Sequence, residues 1–422
     1  MTQKSRVFLC LFCPFKKAII TALAVFGIFF HESVPAQSNQ ENDWTQFRGN
    51  QHNGIVRNVD LITSVPETGL EKLWTKNVGN GFPEVTVLAG VAFVFSSDSL
   101  DGGYEYLAAF DAETGKDFWK TRIDSLYFEV DGWGHGPRST PATDGEMIYC
   151  LSGRGKLTAL TFKDGKEVWS KFLPKDFGSV QPRWGYSSSP ALYENLLILE
   201  TGGSENRAFT AFDKKTGSVV WSKGSGVSFY NSPILTFLEN QRQIIFTQDT
   251  MLFSYSTAGD LLWSYRMPLR YPYSQPIFVA PDKFFISALS DTGSFLIQVK
   301  NNQVHKLWTS DVMQNEWSSC IYHDGYFYGF SKGKLICISA ENGMLKWGQR
   351  GYGKGSLIMV GDVLVVLSDQ GVVVLVEPTP EKFTKLASFK AMEGKSWTAP
   401  SFAEGKLFVR NLSEMSVFKL TK

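Results

Sequence analysis

The chain alternates short apolar runs with polar turns, and the alternation has a long period as well as a short one. Within the runs, apolar and polar positions trade places every second residue or fuse into continuous apolar stretches, as in strands buried on one or both faces. No helical period of useful length follows the first 36 residues. One phrase keeps returning: an apolar strand, a polar turn with Gly, and a short strand closed by Trp. It reads LAAFDAETGKDFW at 107–119, LTALTFKDGKEVW at 157–169 and FTAFDKKTGSVVW at 209–221. Weaker copies are LFSYSTAGDLLW at 252–263, FLIQVKNNQVHKLW at 295–308 and LICISAENGMLKW at 335–347. An eroded copy, VVVLVEPTPEKFTKL, ends on Leu386, and Trp74 closes GLEKLW with no phrase before it.

The marks at 74, 119, 169, 221, 263, 308, 347 and 386 are separated by about 45 residues on average. Four strands of about five or six residues with their connections fill that length, which is one propeller blade. Gly115, Gly165, Gly217, Gly259 and Gly343 supply a residue free to take positive φ in the turn. The Trp that ends each phrase has the size to lock one blade against the next. A second motif comes before each phrase: RSTPA at 138–142, SSSPA at 187–191, YNSPI at 230–234, YSQPI at 273–277, WSSCI at 317–321, KGSLI at 354–358 and WTAPS at 397–401, with GFPEVTV at 81–87 as the first. These mark eight innermost strands starting near 83, 139, 188, 231, 274, 318, 355 and 398, each Pro standing at a strand entry where no ladder bond is lost. The last blade has three strands before Lys422, so the orphan strand at 71–78 is expected to supply its fourth and close the ring. The fold class is therefore all-β, an eight-bladed propeller of four-stranded antiparallel blades; seven blades is the alternative if the eroded segment near 355–388 does not form.

The ends and the charge set the compartment. Residues 1–17 hold four cations, Ala18–Phe30 is an uncharged apolar run, and Val34-Pro35-Ala36 offers small residues before a polar stretch. Thirteen residues of helix span about 20 Å, short of the roughly 30 Å hydrocarbon core. The expectation is a signal peptide over 1–36 cut after Ala36, a leader segment over 37–70 and a propeller over 71–422, exported to the periplasm or beyond. An uncleaved anchor of the same topology is the alternative. Cys10 and Cys13 precede the apolar run, which does not suit lipidation, and Cys150, Cys320 and Cys337 sit in apolar runs as small buried hydrophobes. With 42 Lys and Arg against 41 Asp and Glu, the chain has no electrostatic footprint for nucleic acid. No HExxH, no GxSxG and no metal spacing among the histidines is present, and GYGKGS at 351–356 leads into a strand rather than a helix.

The phrase at 109–119, AFDAETGKDFW, with its copy at 211–221, resembles the tryptophan-docking repeat of pyrroloquinoline-quinone (PQQ) propellers. The opening DWTQFRGNQHNG at 43–54 is similar to a WxQFRGxxxxG leader found in bacterial PQQ-like repeat proteins. The resemblance covers about residues 43–420 and implies the fold. For function it implies either of two branches: dehydrogenases that bind PQQ and Ca²⁺ on the propeller axis and oxidise an alcohol or sugar, or a non-catalytic scaffold of outer-membrane-protein assembly. The adjacent Cys pair and the haem-attaching CxxCH of many dehydrogenases are absent from this sequence.

Segments joining each Trp strand to the next inner strand gather on one face and are aromatic and basic. Arg138, Arg183, Trp184, Tyr230, Arg270, Tyr273, Trp317, Lys354 and Trp397 are the candidate ligand- or cofactor-contacting residues. Aromatics and cations converging on one concavity suit a planar or anionic ligand. The reading is a monomeric binding module for a small ligand or an envelope protein, with no catalytic residue, no metal ligand and no firm cofactor assigned; PQQ with Ca²⁺ is the cofactor the dehydrogenase branch would bring.

Overall fold

The computed structural model describes residues 43–63, 65–66, 69–98, 103–269 and 272–421; the expected signal peptide and Arg270 lie outside them. Among the described residues the strands form eight sheets of four antiparallel strands, one of them extended by a fifth. Blades one to seven run over 86–125, 142–172, 191–223, 234–266, 277–310, 321–349 and 356–390. Blade eight takes Ser401–Ala403, Lys406–Arg410 and Glu414–Lys419 from the C-terminal end and Lys72–Asn77 from the N-terminal end. Lys72 pairs with Phe418 and Asn77 with Glu414, which is the expected closure. The eroded blade forms all four strands, so eight is the blade number. Among the described residues one five-residue helix, Leu173–Phe177, interrupts the strands. No helix among the described residues is long and apolar enough to cross a membrane.

The Trp positions earn their recurrence in two ways. Each of the seven outer strands that carry a Trp has a β-bulge directly beside it, which re-aims that side chain sideways out of its own sheet. The indole Nε1 then donates to a turn carbonyl of the next blade: Trp74 to Ala112, Trp119 to Phe162, Trp169 to Lys214, Trp221 to Thr257, Trp308 to Ala340 and Trp347 to Thr379, at 2.7–3.2 Å. Trp263 is the exception. The turn of the next blade is Asn301-Asn302, without Gly, and Trp263 donates within its own blade to Gln243 Oε1 at 3.0 Å. In blade seven the register sets Ala387, not Leu386, across from the third strand at the Trp position; Ala387 is buried and Leu386 is exposed. Leu386 as the eighth mark is therefore corrected by one residue, because the bulge shifts the pairing.

The inner motifs also read differently in three dimensions. Regular pairing begins at Thr86, Ala142, Ala191, Ile234, Ile277, Ile321, Ser356 and Ser401, mostly three residues after the expected starts. Residues ahead of those strands border the ring axis, and their hydroxyls tie blade to blade.

Candidate functional site

The leader crosses the ring. Trp44 exchanges two backbone hydrogen bonds with Val87 of blade one, at 3.0 and 2.9 Å. Thr45 O accepts from Thr143 N in blade two, and Gln46 Oε1 accepts from Leu192 N in blade three. Then Arg48 Nη2 donates to Cys320 O of blade six at 2.8 Å, and Ile55-Val56 pair in parallel with Met359-Val360 of blade seven. Residues 44–56 thus touch opposite sides of the ring and form a plug. The WxQFRGxxxxG residues have distinct parts in it. Trp44 is wholly buried, Gly49 (φ +74°) leaves only 3.2 Å between a would-be Cβ and the indole, and Gly54 (φ +73°) sits as tightly against Ile321.

Glu84, the blade-one residue that aligns with Thr140 of the next inner motif, latches the plug. Its Oε2 accepts from Trp44 Nε1 at 2.9 Å and from Arg48 N at 2.8 Å. Burial pushes its carboxyl up to about 7, against the pull of those two donors and of the Arg48 charge. Burial also lowers the Arg48 guanidinium, and Arg48 Nε has no partner although it is sealed from solvent.

Above the plug lies an axial cavity of about 520 Å³. Its floor is Phe47, Arg48 and Glu84. Its wall is a belt made by the third residue of successive inner motifs. Glu84 N donates to Thr140 Oγ1, Thr140 N to Ser189 Oγ, Ser189 N to Ser232 Oγ, Ser232 N to Gln275 Oε1 and Gln275 N to Ser319 Oγ, at 2.8–3.1 Å. Near the mouth stands an aromatic collar in two groups. Trp133, Trp317 and Trp397 form one, with centroids 5.7 and 4.9 Å apart; Trp184, Tyr230 and Tyr273 form the other, at 5.4–5.7 Å.

Of the nine candidates, the structure brings Arg138, Trp184, Tyr230, Tyr273, Trp317 and Trp397 onto this one cavity. Lys354 stands beside it, 2.6 Å from Glu316 and over the Trp317 ring at 4.9 Å. Arg183 is on the outer surface, in a two-pronged pair with Asp131 at 2.8 Å, and does not line the cavity. Arg138 spends its guanidinium on Gly134 O and Gly136 O and lies over Phe82 and Tyr127. Sequence reasoning missed Phe47, Arg48, Glu84 and the belt. The signals were present, in the leader motif and in the third position of the inner motifs after the first, but neither has a periodic partner that states its purpose.

The donor set does not fit calcium. That ion takes six to eight oxygens, mostly carboxylate and carbonyl. Here Glu84 is held by Trp44 and Arg48, and Glu316 by Lys354. Among the described residues no three His, Cys, Asp or Glu side chains gather as a metal site.

Fold and repeat define an eight-bladed PQQ-like propeller. Residues 103–349 match the family described as outer membrane protein assembly factor BamB, a PQQ-repeat family, and the chain belongs to it. A protein of that description from Marinobacter adhaerens is 26% identical over 134 residues, which is 32% of this chain and only 28% of the relative's own length. Among solved structures, BamB from Moraxella catarrhalis superposes with a TM-score of 0.58 at 14% identity, covering 83% of this chain and 97% of that one. Quinohemoprotein alcohol dehydrogenase from Comamonas testosteroni gives 0.67 at 12% identity, covering 92% and 82%. At such identities these likenesses concern the fold.

Proposed function

We propose that the protein is an exported binding module without catalysis of its own, which works as a monomer and holds its ligand in the axial cup. The observation that supports this is the cup itself: a cavity of small-molecule size, stoppered by the leader and walled by six aromatic side chains and a hydroxyl belt. The signal-like N-terminus and the family support work in the periplasm or outer envelope. Catalysis by a quinone–calcium pair is disfavoured by the paired carboxylates. Intrinsic tryptophan fluorescence and thermal shift across a metabolite panel test the reading. Binding that Trp184→Ala with Trp317→Ala abolishes is expected. Turnover of an alcohol or sugar with added PQQ, Ca²⁺ and a dye acceptor would overturn it.

A second reading, a scaffold in outer-membrane assembly, is favoured by the family and by exposed apolar side chains. Phe128, Val130, Val180, Val227 and Leu289, in loops between strands, are all more than half exposed. Crosslinking in intact envelopes followed by mass spectrometry checks it. Capture of an outer-membrane assembly partner by the wild type, lost in Phe128→Asp with Val130→Asp, is the outcome this reading requires.

A further inference from the structure

Resting on the axial cup as the binding site, we infer that its ligand is a neutral saccharide, one or a few pyranose rings, rather than an organic anion or a flat aromatic molecule.

Charge argues first. The cations at the cup have donors engaged, and Lys354 is charge-paired as well. Lys354 is paired with Glu316 at 2.6 Å, and Arg138 is bonded to two backbone carbonyls at 2.7 and 2.9 Å. At the floor, the Arg48 charge is opposed by Glu84, whose carboxylate also borders the cavity. A carboxylate or phosphate entering the cup would meet Glu84 as a like charge in a poorly solvated place once that group is ionised, above about pH 7. A neutral ligand has no such conflict.

Hydrogen-bonding capacity argues next. In the belt, the hydroxyls of Thr140, Ser189, Ser232 and Ser319 each accept a backbone N–H from the neighbouring blade. A hydroxyl also carries one proton to donate, and the belt does not use it. These four residues border the cavity, together with the acceptor Glu84. The lower cup therefore offers several donors and one acceptor within a ring. A polyol matches that mixture, because every sugar hydroxyl both gives and takes a hydrogen bond. A hydrocarbon or a fused aromatic would leave these groups unpaired, at a cost in affinity.

Ring geometry decides between a sugar and a flat aromatic. A flat aromatic fits face-on in a slot between parallel rings or edge-on against one ring. Within each group of the collar, no two neighbouring rings make a parallel slot. Trp133 and Trp317 are inclined to Trp397 by 43° and 47°, and Trp184 is inclined to Tyr230 and Tyr273 by 42° and 83°. Two concave, faceted walls result. A pyranose is thick, with C–H groups on both faces and hydroxyls around its edge. It can rest C–H faces on the facets while its edge reaches the belt.

The test uses the full-length processed protein, titrated with N,N′-diacetylchitobiose and with maltotriose, followed by tryptophan fluorescence and by saturation-transfer NMR. The two probes separate an N-acetylated envelope glycan from a plain glucan. Saturable binding of at least one is expected. Trp184→Ala and Trp317→Ala should each weaken it about tenfold, as loss of one good aromatic contact does. Ser189→Ala with Ser232→Ala should weaken it further, with the fold monitored by circular dichroism. Binding of neither sugar, alongside binding of an aromatic acid such as naphthoate in the same cup, would overturn the saccharide assignment and leave the cup reading standing. No response to either sugars or aromatic acids would overturn both.

Discussion

The indole of Trp119 lies flat on Gly165 of the following blade, so close that a Cβ at that glycine would fall well inside contact distance of the ring. The same pairing joins Trp74 to Gly115, Trp169 to Gly217, Trp221 to Gly259 and Trp308 to Gly343. Each glycine thus has two reasons to lack a side chain: a left-handed turn, with φ between +66° and +87°, and the neighbour's Trp.

Gly165→Ala should therefore cost more than the turn alone explains. Strain at positive φ amounts to about 1 kcal/mol, and displacing a docked indole should bring the total to about 2–4 kcal/mol. Gly178 supplies the control, since its φ is +65° and nothing lies within 4 Å of an added Cβ. Urea midpoints of Gly165→Ala and Gly178→Ala measure the difference. Equal losses would mean that indole docking contributes nothing.

Ring closure can be opened from one residue. Thr75 lies in the strand that completes blade eight, opposite Ser416, with their hydroxyls 2.8 Å apart. The next residue, Lys76, stands opposite Met415 in a hydrogen-bonded pair, so Lys76→Pro removes a ladder donor and should cost about 1–3 kcal/mol. It should also bare the edge of Glu414–Lys419, an invitation to pair with other chains. Size-exclusion chromatography should show new oligomers and limited proteolysis should cut near residues 70–80. An unchanged elution volume with wild-type protease resistance would contradict the closure.

Much of this architecture was readable from the chain because a repeat states its rule many times. Trp and Gly at regular places marked out the blades, and the departure in blade seven has a physical cause. At six junctions the Trp lands on the turn between the third and fourth strands of the next blade. In blade eight those strands are Glu414–Lys419 and Lys72–Asn77, which belong to opposite ends of the chain. No turn joins them, so blade seven has nothing for a Trp to dock on, and Ala387 stands there instead. The plug was not readable in the same way. Trp44, Arg48 and Glu84 occur once, and only the folded ring shows that a leader residue and a blade-one residue meet at the axis.

Restoring the consensus at that place should therefore do harm. Ala387 is 9% exposed, and Ala387→Trp would force a large ring into a junction without its receiving turn. Overpacking of this kind costs about 1–3 kcal/mol. Thermal denaturation of the variant should show a lower midpoint; a higher one would mean that a docking surface exists at the seam after all.

The latch gives the stability a pH signature. Glu84 titrates near 7 when folded, against 4.5 for an ordinary glutamate, so between those values the folded chain holds a proton that the unfolded chain has released. Stability from this group is therefore highest below about 4.5, falls as pH rises towards 7, and stays at its lower level above that. The full swing is of the order of 3 kcal/mol, since each tenfold change in proton affinity is worth about 1.4 kcal/mol. Glu105, carried up to about 8 by burial, and Asp43, up to about 6, slope the same way, so the wild-type curve alone does not isolate Glu84. The measurement is the difference between wild type and Glu84→Gln across pH 4 to 8. Glutamine keeps an oxygen for Trp44 Nε1 and Arg48 N but cannot titrate, so the variant should gain on the wild type as the pH rises. A difference that stays flat would show that Glu84 remains ionised throughout, held by Arg48 more strongly than burial opposes it.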